Sequence, residues 1–436
     1  KDGHTVINVP NNRGKLFAII SYLLAYPDPV PEDEKIETAK MTTGSPTSGE
    51  QLVSDPYSMA INTVRGRAFQ TFVLFAYQDS KKFDKGDKSK VSPDVKKLYE
   101  SVLDKENTRA LMFMFGHYLP SFYFRDVEFI QGLLPKIFPT DPEKKELYLA
   151  AWEGYLAGNL FEEMFFDPKI NELYKRGINF VPGDYMKRKY FRDPDEGMAV
   201  HFALAFMYYD EFKFDSELFK SFWENNDIEQ HANFVSFLGR SFISGDNAKN
   251  NSLLRENPHS VQKLKDFWDW MLDKYTNSKP FAEFGFWMNI KKEVFDIPWL
   301  AERTKKTLEK VGGIIDWDYG LMRSITTFAE STPKDTLEIL RLVILEGGVR
   351  AEKSRMPFMD KEWIEAFKIL FNNSNPEIKK GIYDLIDTLI LEGGSKFWGL
   401  KEYKGTHPAV MSDRIKNKNW NWDFKNSKFI FKIADS

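Results

Sequence analysis

Histidine is the side chain best suited to proton transfer and metal binding near neutral pH, and the chain has six: His4, His117, His201, His231, His259 and His407. No two stand three to five residues apart, so no helical turn presents two imidazoles to one ion. Glu256-Asn257-Pro258-His259 has the Glu-x-x-His spacing of di-iron bundles, yet it occurs once, contains a proline and falls in a polar stretch. His117 and His201 lie in apolar helical stretches, where a buried imidazole bonded to a nearby carbonyl competes with a catalytic base as the reading. Arg13-Gly14-Lys15-Leu16 is the nearest approach to a phosphate-binding loop. Val9 occupies the place of its first glycine and Leu16 that of its magnesium-binding hydroxyl, so the loop is absent. No Gly-x-Ser-x-Gly elbow is present, and the lack of cysteine excludes thiol catalysis, disulfides and thiolate-held zinc or iron–sulfur centres.

Paired carboxylates remain. Glu162 with Glu163, Asp193 with Asp195 and Glu196, and Asp316 with Asp318 are the candidates, the last being the pair a glycan-processing helical toroid would use. Each group reads equally well as a solvated face, because adjacent helical residues point apart. The expectation is therefore no catalytic residue, no metal and no cofactor.

Total charge is nearly balanced, with 61 Lys and Arg against 64 Asp and Glu and a net of -3, which removes the uniform basic field of a dedicated nucleic-acid binder. Its distribution is uneven. Residues 191–230 hold ten acids against three bases. Residues 413–436 reverse the bias, with Arg414, Lys416, Lys418, Lys425, Lys428 and Lys432 interleaved with Trp420, Trp422, Phe424, Phe429 and Phe431. Basic residues among aromatics can hold single-stranded nucleic acid, and this tail is the one place where the sequence admits it. The alternative is a capping segment that packs its rings and leaves its lysines in water.

These residues must be positioned by helices. The 436 residues are 42% hydrophobic, enough for two or three packed units. Apolar positions recur at three and four, whereas alternating Val, Ile and Thr stretches are almost missing. Ser92-Pro93, Asp141-Pro142, Thr332-Pro333 and Asn375-Pro376 each predict a helix start, a capping oxygen before proline at the first helical position. Pro333 opens a helix predicted to end at Gly347-Gly348, and Pro376 one ending at Gly393-Gly394, the endings 46 and the starts 43 residues apart. With a helix carrying Trp363, Ile364, Phe367 and Leu370 between them, this is a helix pair at HEAT-like spacing, the glycines being left-handed caps. Met59, Ala60, Val64, Ala68, Phe72, Phe75 and Ala76 predict one continuous helical stripe. The predicted fold class is all-α, a HEAT-like or TPR-like superhelix (α-solenoid) with an aromatic-rich core, since Phe numbers 38, Tyr 18 and Trp 11.

Proline, glycine and hydroxyl residues mark 27–56 as a long loop, and 244–258 as a second break. The predicted organisation is an N-terminal helical unit over 1–90, central repeats over 91–260, C-terminal HEAT-like repeats over 261–412 and the tail 413–436. Apolar runs such as Leu16 to Tyr26 fall short of the roughly 20 residues that cross a bilayer, so no membrane span is predicted. No secretory pattern marks Lys1-Asp2-Gly3-His4, and a cytoplasmic protein is expected, either processed or one region of a longer chain.

Asp55-Pro56-Tyr57-Ser58-Met59-Ala60-Ile61-Asn62-Thr63-Val64-Arg65-Gly66-Arg67-Ala68 resembles a motif of the C-terminal helical regions of bacterial STAND-type and related antiphage defence proteins. Trp152-Glu153-Gly154-Tyr155-Leu156, followed by Leu173-Tyr174-Lys175-Arg176-Gly177-Ile178, is similar to another element of those regions. The resemblance implies a recognition arm whose nucleotide-binding and effector domains lie elsewhere. It implies a protein partner, phage-derived or another defence subunit. Asn62, Arg65 and Arg67 are the predicted partner-binding residues of the motif. The alternative is that Asn62 and Arg65 bond backbone groups where the long loop meets the helix, with Gly66 permitting close contact. Trp420 and Trp422 are predicted contacts in the tail. The function expected is a non-catalytic scaffold that recognises a macromolecule. The alternative is a helical-toroid enzyme acting on a glycan or small molecule through paired carboxylates.

Overall fold

The computed structural model describes residues 9–43, 55–179, 194–225, 227–245, 248–290, 293–350, 361–392, 420–423 and 428–431. The chain divides into two compact units, Lys1–Ser324 and Ile325–Ser436. Residues 90 and 260, where composition suggests boundaries, both fall inside the first. No helix among the described residues is long and apolar enough to cross a membrane.

The described residues are overwhelmingly helical. The first unit opens with α1 (Val9–Leu24), α2 (Pro31–Thr43), α3 (Pro56–Asn62) and α4 (Val64–Asp79). It continues with α5 (Pro93–Asp104), α6 (Arg109–His117), α7 (Leu119–Tyr123), α8 (Val127–Ile137), α9 (Lys145–Leu156), α10 (Glu162–Phe165) and α11 (Pro168–Ile178). After these come α12 (Pro194–Tyr208), α13 (Glu217–Asn225), α14 (Ile228–Leu238), α15 (Ala248–Glu256), α16 (Pro258–Lys274), α17 (Lys279–Ala282) and α18 (Ile297–Val311). Two stretches predicted as breaks therefore contain helices, α2 within 27–56 and α15 within 244–258. In the first, Glu34 is buried, and its carboxylate accepts the Arg109 and Ala110 amides at 3.1 and 2.8 Å, so α2 satisfies the first two amides of α6 beside its N-cap, Thr108.

Packing follows chain order. α3 lies on α6, α6 on α9, α9 on α12, α12 on α14 and α14 on α17. The most extensive of these contacts, α6 on α9, depends on two glycines. A Cβ on Gly116 would meet the Ala151 carbonyl oxygen at 1.8 Å, and one on Gly154 the Phe113 carbonyl oxygen at 2.0 Å, so the two backbones touch where no side chain fits. Aromatic rings fill the spaces between helices. Contacts run from Tyr174 to Phe202 (5.4 Å), Phe222 (4.8 Å), Trp223 (5.5 Å), Phe267 (5.6 Å), Trp287 (5.9 Å), Trp268 (5.5 Å) and Trp299 (5.5 Å), each ring to the next.

The predicted stripe from Met59 to Ala76 is two helices. Thr63, at φ -116° and ψ 159°, is extended and separates α3 from α4. The carboxylate of Asp28 accepts the Val64 amide at 2.8 Å and so caps α4 from a distance in sequence.

The boundary between units falls within α19 (Tyr319–Ser331). The second unit contains α20 (Pro333–Leu340), α21 (Lys361–Asn372) and α22 (Pro376–Leu391). Helices open at all four proline-marked sites, Pro142 by way of a short 3₁₀ turn that runs into α9, but the predicted capping oxygen acts only at Asp141 and Asn375: the Ser92 hydroxyl donates to Asp79 and the Thr332 hydroxyl to the Phe328 carbonyl instead. α21 packs on α22, which also packs on α20. The predicted cap at Gly347-Gly348 is not formed: the chain leaves α20 directly into a π-helix, Arg341–Arg350, and the glycines lie inside it. Hydrogen bonding continues in the wider i to i+5 register, so the glycines do not terminate the helix. Gly393 and Gly394 lie outside the described residues. One departure from an all-helical chain is β1 (Trp420–Asp423) paired antiparallel with β2 (Lys428–Phe431).

Candidate functional site

The residues singled out by the first motif meet at the start of α4. Arg65 turns inward: Nε donates to the Leu24 carbonyl at 3.2 Å, Nη1 to the Pro29 carbonyl at 3.0 Å, and Nη2 to the carboxylate of Glu106. Glu106 in turn accepts the Thr108 amide at 2.8 Å and its hydroxyl at 2.6 Å. Arg65 thus ties α1, the following turn and the α5–α6 connection to α4. Gly66 permits the same junction, since a Cβ there would stand 1.8 Å from the Ala60 carbonyl oxygen.

Asn62 and Arg67 face outward. Both are exposed, Asn62 donating only to the Ser58 carbonyl at 2.8 Å. They line an open cavity of about 470 Å³ with Leu23, Asp28, Thr63 and Thr71. α1 and α4 run in opposite directions here, with Leu23 in the cavity beside Arg67 and Arg13 at the other end of the pair. Arg13 binds both Asp79, at 2.7 and 3.1 Å, and Asp94, at 2.8 and 2.9 Å. Burial pushes the Asp79 carboxyl up, but hydrogen bonds from Arg13, Ser92 and Lys82 outweigh it and bring its pKa to about 2. Arg13, the remnant of the phosphate-loop comparison, is therefore a structural clamp.

The outer face of this helix pair carries large apolar side chains. Ile19 and Tyr22 on α1 and Tyr26 just beyond its end are 56%, 70% and 44% exposed, and Leu74 and Tyr77 on α4 are 67% and 51% exposed. Sequence reasoning did not single them out. The signal was present: Ile19, Tyr22 and Tyr26 recur at three and four along the apolar run Leu16 to Tyr26, beside the buried Ile20 and Leu24, so the run holds more apolar side chains than one buried face can use.

The second motif is consumed by packing. Trp152, Tyr155 and Tyr174 are buried, with Trp152 5.3 Å from Tyr174. The Arg176 guanidinium lies 3.6 Å over the Tyr148 ring and donates to the Pro139 carbonyl at 3.0 Å. The buried histidines are held by neutral partners. His201 Nδ1 is 2.7 Å from the Tyr174 hydroxyl and Nε2 3.4 Å from the Gly158 carbonyl. His231 pairs with the Tyr275 hydroxyl, and its Nε2 lies 2.9 Å from the Phe222 carbonyl. Burial lowers both pKa values to about 4.

Glu162 and Glu163 are exposed in the first turn of α10, and Asp316 and Asp318 are exposed on either side of Trp317. Glu196 pairs with Arg240 at 3.5 Å, and Asp193 lies outside the described residues. Trp420 and Trp422 belong to β1, opposite Phe431 and Phe429 respectively. Among the described residues no group of three metal-ligating side chains comes together. No known family, curated protein or solved structure matches the chain.

Proposed function

We propose that this chain is a non-catalytic helical scaffold that recognises a protein partner, the sensor part of a bacterial defence system with a phage protein as its ligand. One observation carries the reading: Ile19, Tyr22, Tyr26 and Leu74 are large apolar side chains left exposed on the α1–α4 helix pair and the turn after α1, and the same pair edges a cavity with the exposed Asn62 and Arg67. A cluster of large apolar groups with a polar rim is the composition of a protein-binding patch, in which aromatic residues and arginine supply most of the affinity. The stepwise stacking of α3, α6, α9, α12, α14 and α17 supports a superhelical arrangement of the HEAT or TPR kind, in which each unit contacts its neighbours.

The test compares the tagged chain with a Tyr22→Asp, Leu74→Asp double variant, each purified from phage-infected and uninfected cells. The wild type retains a phage protein, and the variant, folded by circular dichroism, loses it. Identical retrieval by both, or none from infected cells, ends the proposal.

A further inference from the structure

A second cavity, of about 310 Å³, opens between the end of α6 and α7 on one side and the segment after α9 on the other. Its polar lining is Arg125, Ser121, His117, Tyr118 and Asn159, and its apolar walls include Phe124 and Phe161, whose rings meet at 5.0 Å. No aspartate or glutamate lines it. The nearest acids in sequence are Asp126, which follows Arg125 but pairs with Lys96 and accepts the Ser89 hydroxyl, and Glu162 and Glu163, exposed on α10; none of the three belongs to the lining.

Arg125 is the informative residue. It is only partly exposed, yet its partners among the described residues are all neutral. Nη1 donates to the Ser121 carbonyl, Nε is 3.4 Å from the Ser80 hydroxyl, and the guanidinium lies 4.5 Å over the Tyr77 ring. Elsewhere in the same unit Arg13, Arg65 and Arg303 each find a carboxylate, while Arg176 has only carbonyl and ring partners but lines neither cavity. Withdrawing a guanidinium from water without a counter-charge is unfavourable, and an anion in the cavity would offset that. The Ser121 hydroxyl and the Asn159 amide have no partner among the described residues, so two more donors border the same space.

We propose that this cavity is a binding site for a small organic anion with a planar apolar body, the anionic group held by Arg125 with Ser121 and Asn159, and the ring set against Phe124 and Phe161. The volume, at the low end for small-molecule pockets, suits a single ring bearing one carboxylate or phosphate.

Calorimetric titration of the full chain with benzoate, phenyl phosphate and benzyl alcohol tests this. At least one of the two anions binds saturably, and whichever binds more tightly identifies the headgroup. Benzyl alcohol binds at least about tenfold more weakly. Arg125→Gln abolishes the preference for the anion, Arg125→Lys weakens binding while keeping it, and Phe124→Ala weakens all three ligands. If the glutamine variant does not fold, the lysine variant and the anion-to-alcohol comparison on the wild type decide. Equal affinity for benzyl alcohol, undiminished anion binding by a folded Arg125→Gln chain, or binding of neither anion at concentrations up to about 10 mM overturns the proposal.

Discussion

The guanidinium of Arg65 is paired with the carboxylate of Glu106, whose side chain is fully shielded from solvent. The same guanidinium satisfies the Leu24 and Pro29 carbonyls, so one cation closes the end of α1 and neutralises a buried acid. Replacing it with alanine leaves Glu106 buried without a counter-charge. Arg65→Ala is expected to cost about 3 to 5 kcal/mol in denaturant unfolding, and Arg65→Lys less, because a lysine restores the charge but not the fork of donors.

The α6–α9 contact predicts a second sensitivity. A methyl group at position 154 would occupy the place of the Phe113 carbonyl, 2.0 Å away, and backbone cannot swing aside as a side chain can. Gly154→Ala should destabilise by about 3 kcal/mol, and Gly116→Ala similarly, with the urea midpoint as the readout.

Glu34 ties α2 to α6 through the Arg109 and Ala110 amides. Glu34→Ala should lower stability by about 1 to 2 kcal/mol. It should also speed backbone amide exchange at the start of α6. Unchanged exchange there would mean that α2 is not part of the folded body.

Acid sensitivity should come in two stages. His201 and His231 titrate near 4 when folded, against 6.5 ordinarily, so as pH falls below 6.5 the unfolded chain takes up protons that the folded one refuses. Stability is full above about 6.5 and declines towards 4, after which these two groups contribute no further slope. Asp79 adds a lower stage, lost as pH falls from its ordinary 3.8 through about 2. In His231→Gln, which keeps a donor and an acceptor, the slope between the two histidine limits should fall but not vanish, since His201 and His117, whose pKa burial also lowers, keep their share.

The sequence made the helical character legible because proline at a first helical position is a local signal, and all four such sites open helices, although the Ser92 and Thr332 side chains do not cap theirs. What it hid was long-range. The Thr63 break is invisible to periodicity because Met59 to Ala76 keeps its apolar spacing through it. The α2 helix lies among prolines and glycines and is fixed by a carboxylate reaching Arg109, 75 residues away. The π-helix after Leu340 depends on hydrogen-bond register, which composition does not encode. At the candidate site the alternative reading, Asn62 and Arg65 bonding backbone groups at a loop–helix junction with Gly66 permitting close contact, agrees with the bonds to the Ser58, Leu24 and Pro29 carbonyls. Arg125 escaped notice because nothing in its neighbours' identities shows that no acid faces it.

The ring relay through the first unit also has an optical consequence. Trp268 and Trp287 lie 5.5 Å apart with planes crossed at 73°, and Trp223 and Trp270 lie 5.2 Å apart at 72°. Indoles so close and so steeply inclined share excitation and rotate polarised ultraviolet light in a way that isolated tryptophans do not. The protein therefore carries an intrinsic exciton signature that vanishes when the helices separate, a label-free witness of whether this part of the chain is assembled.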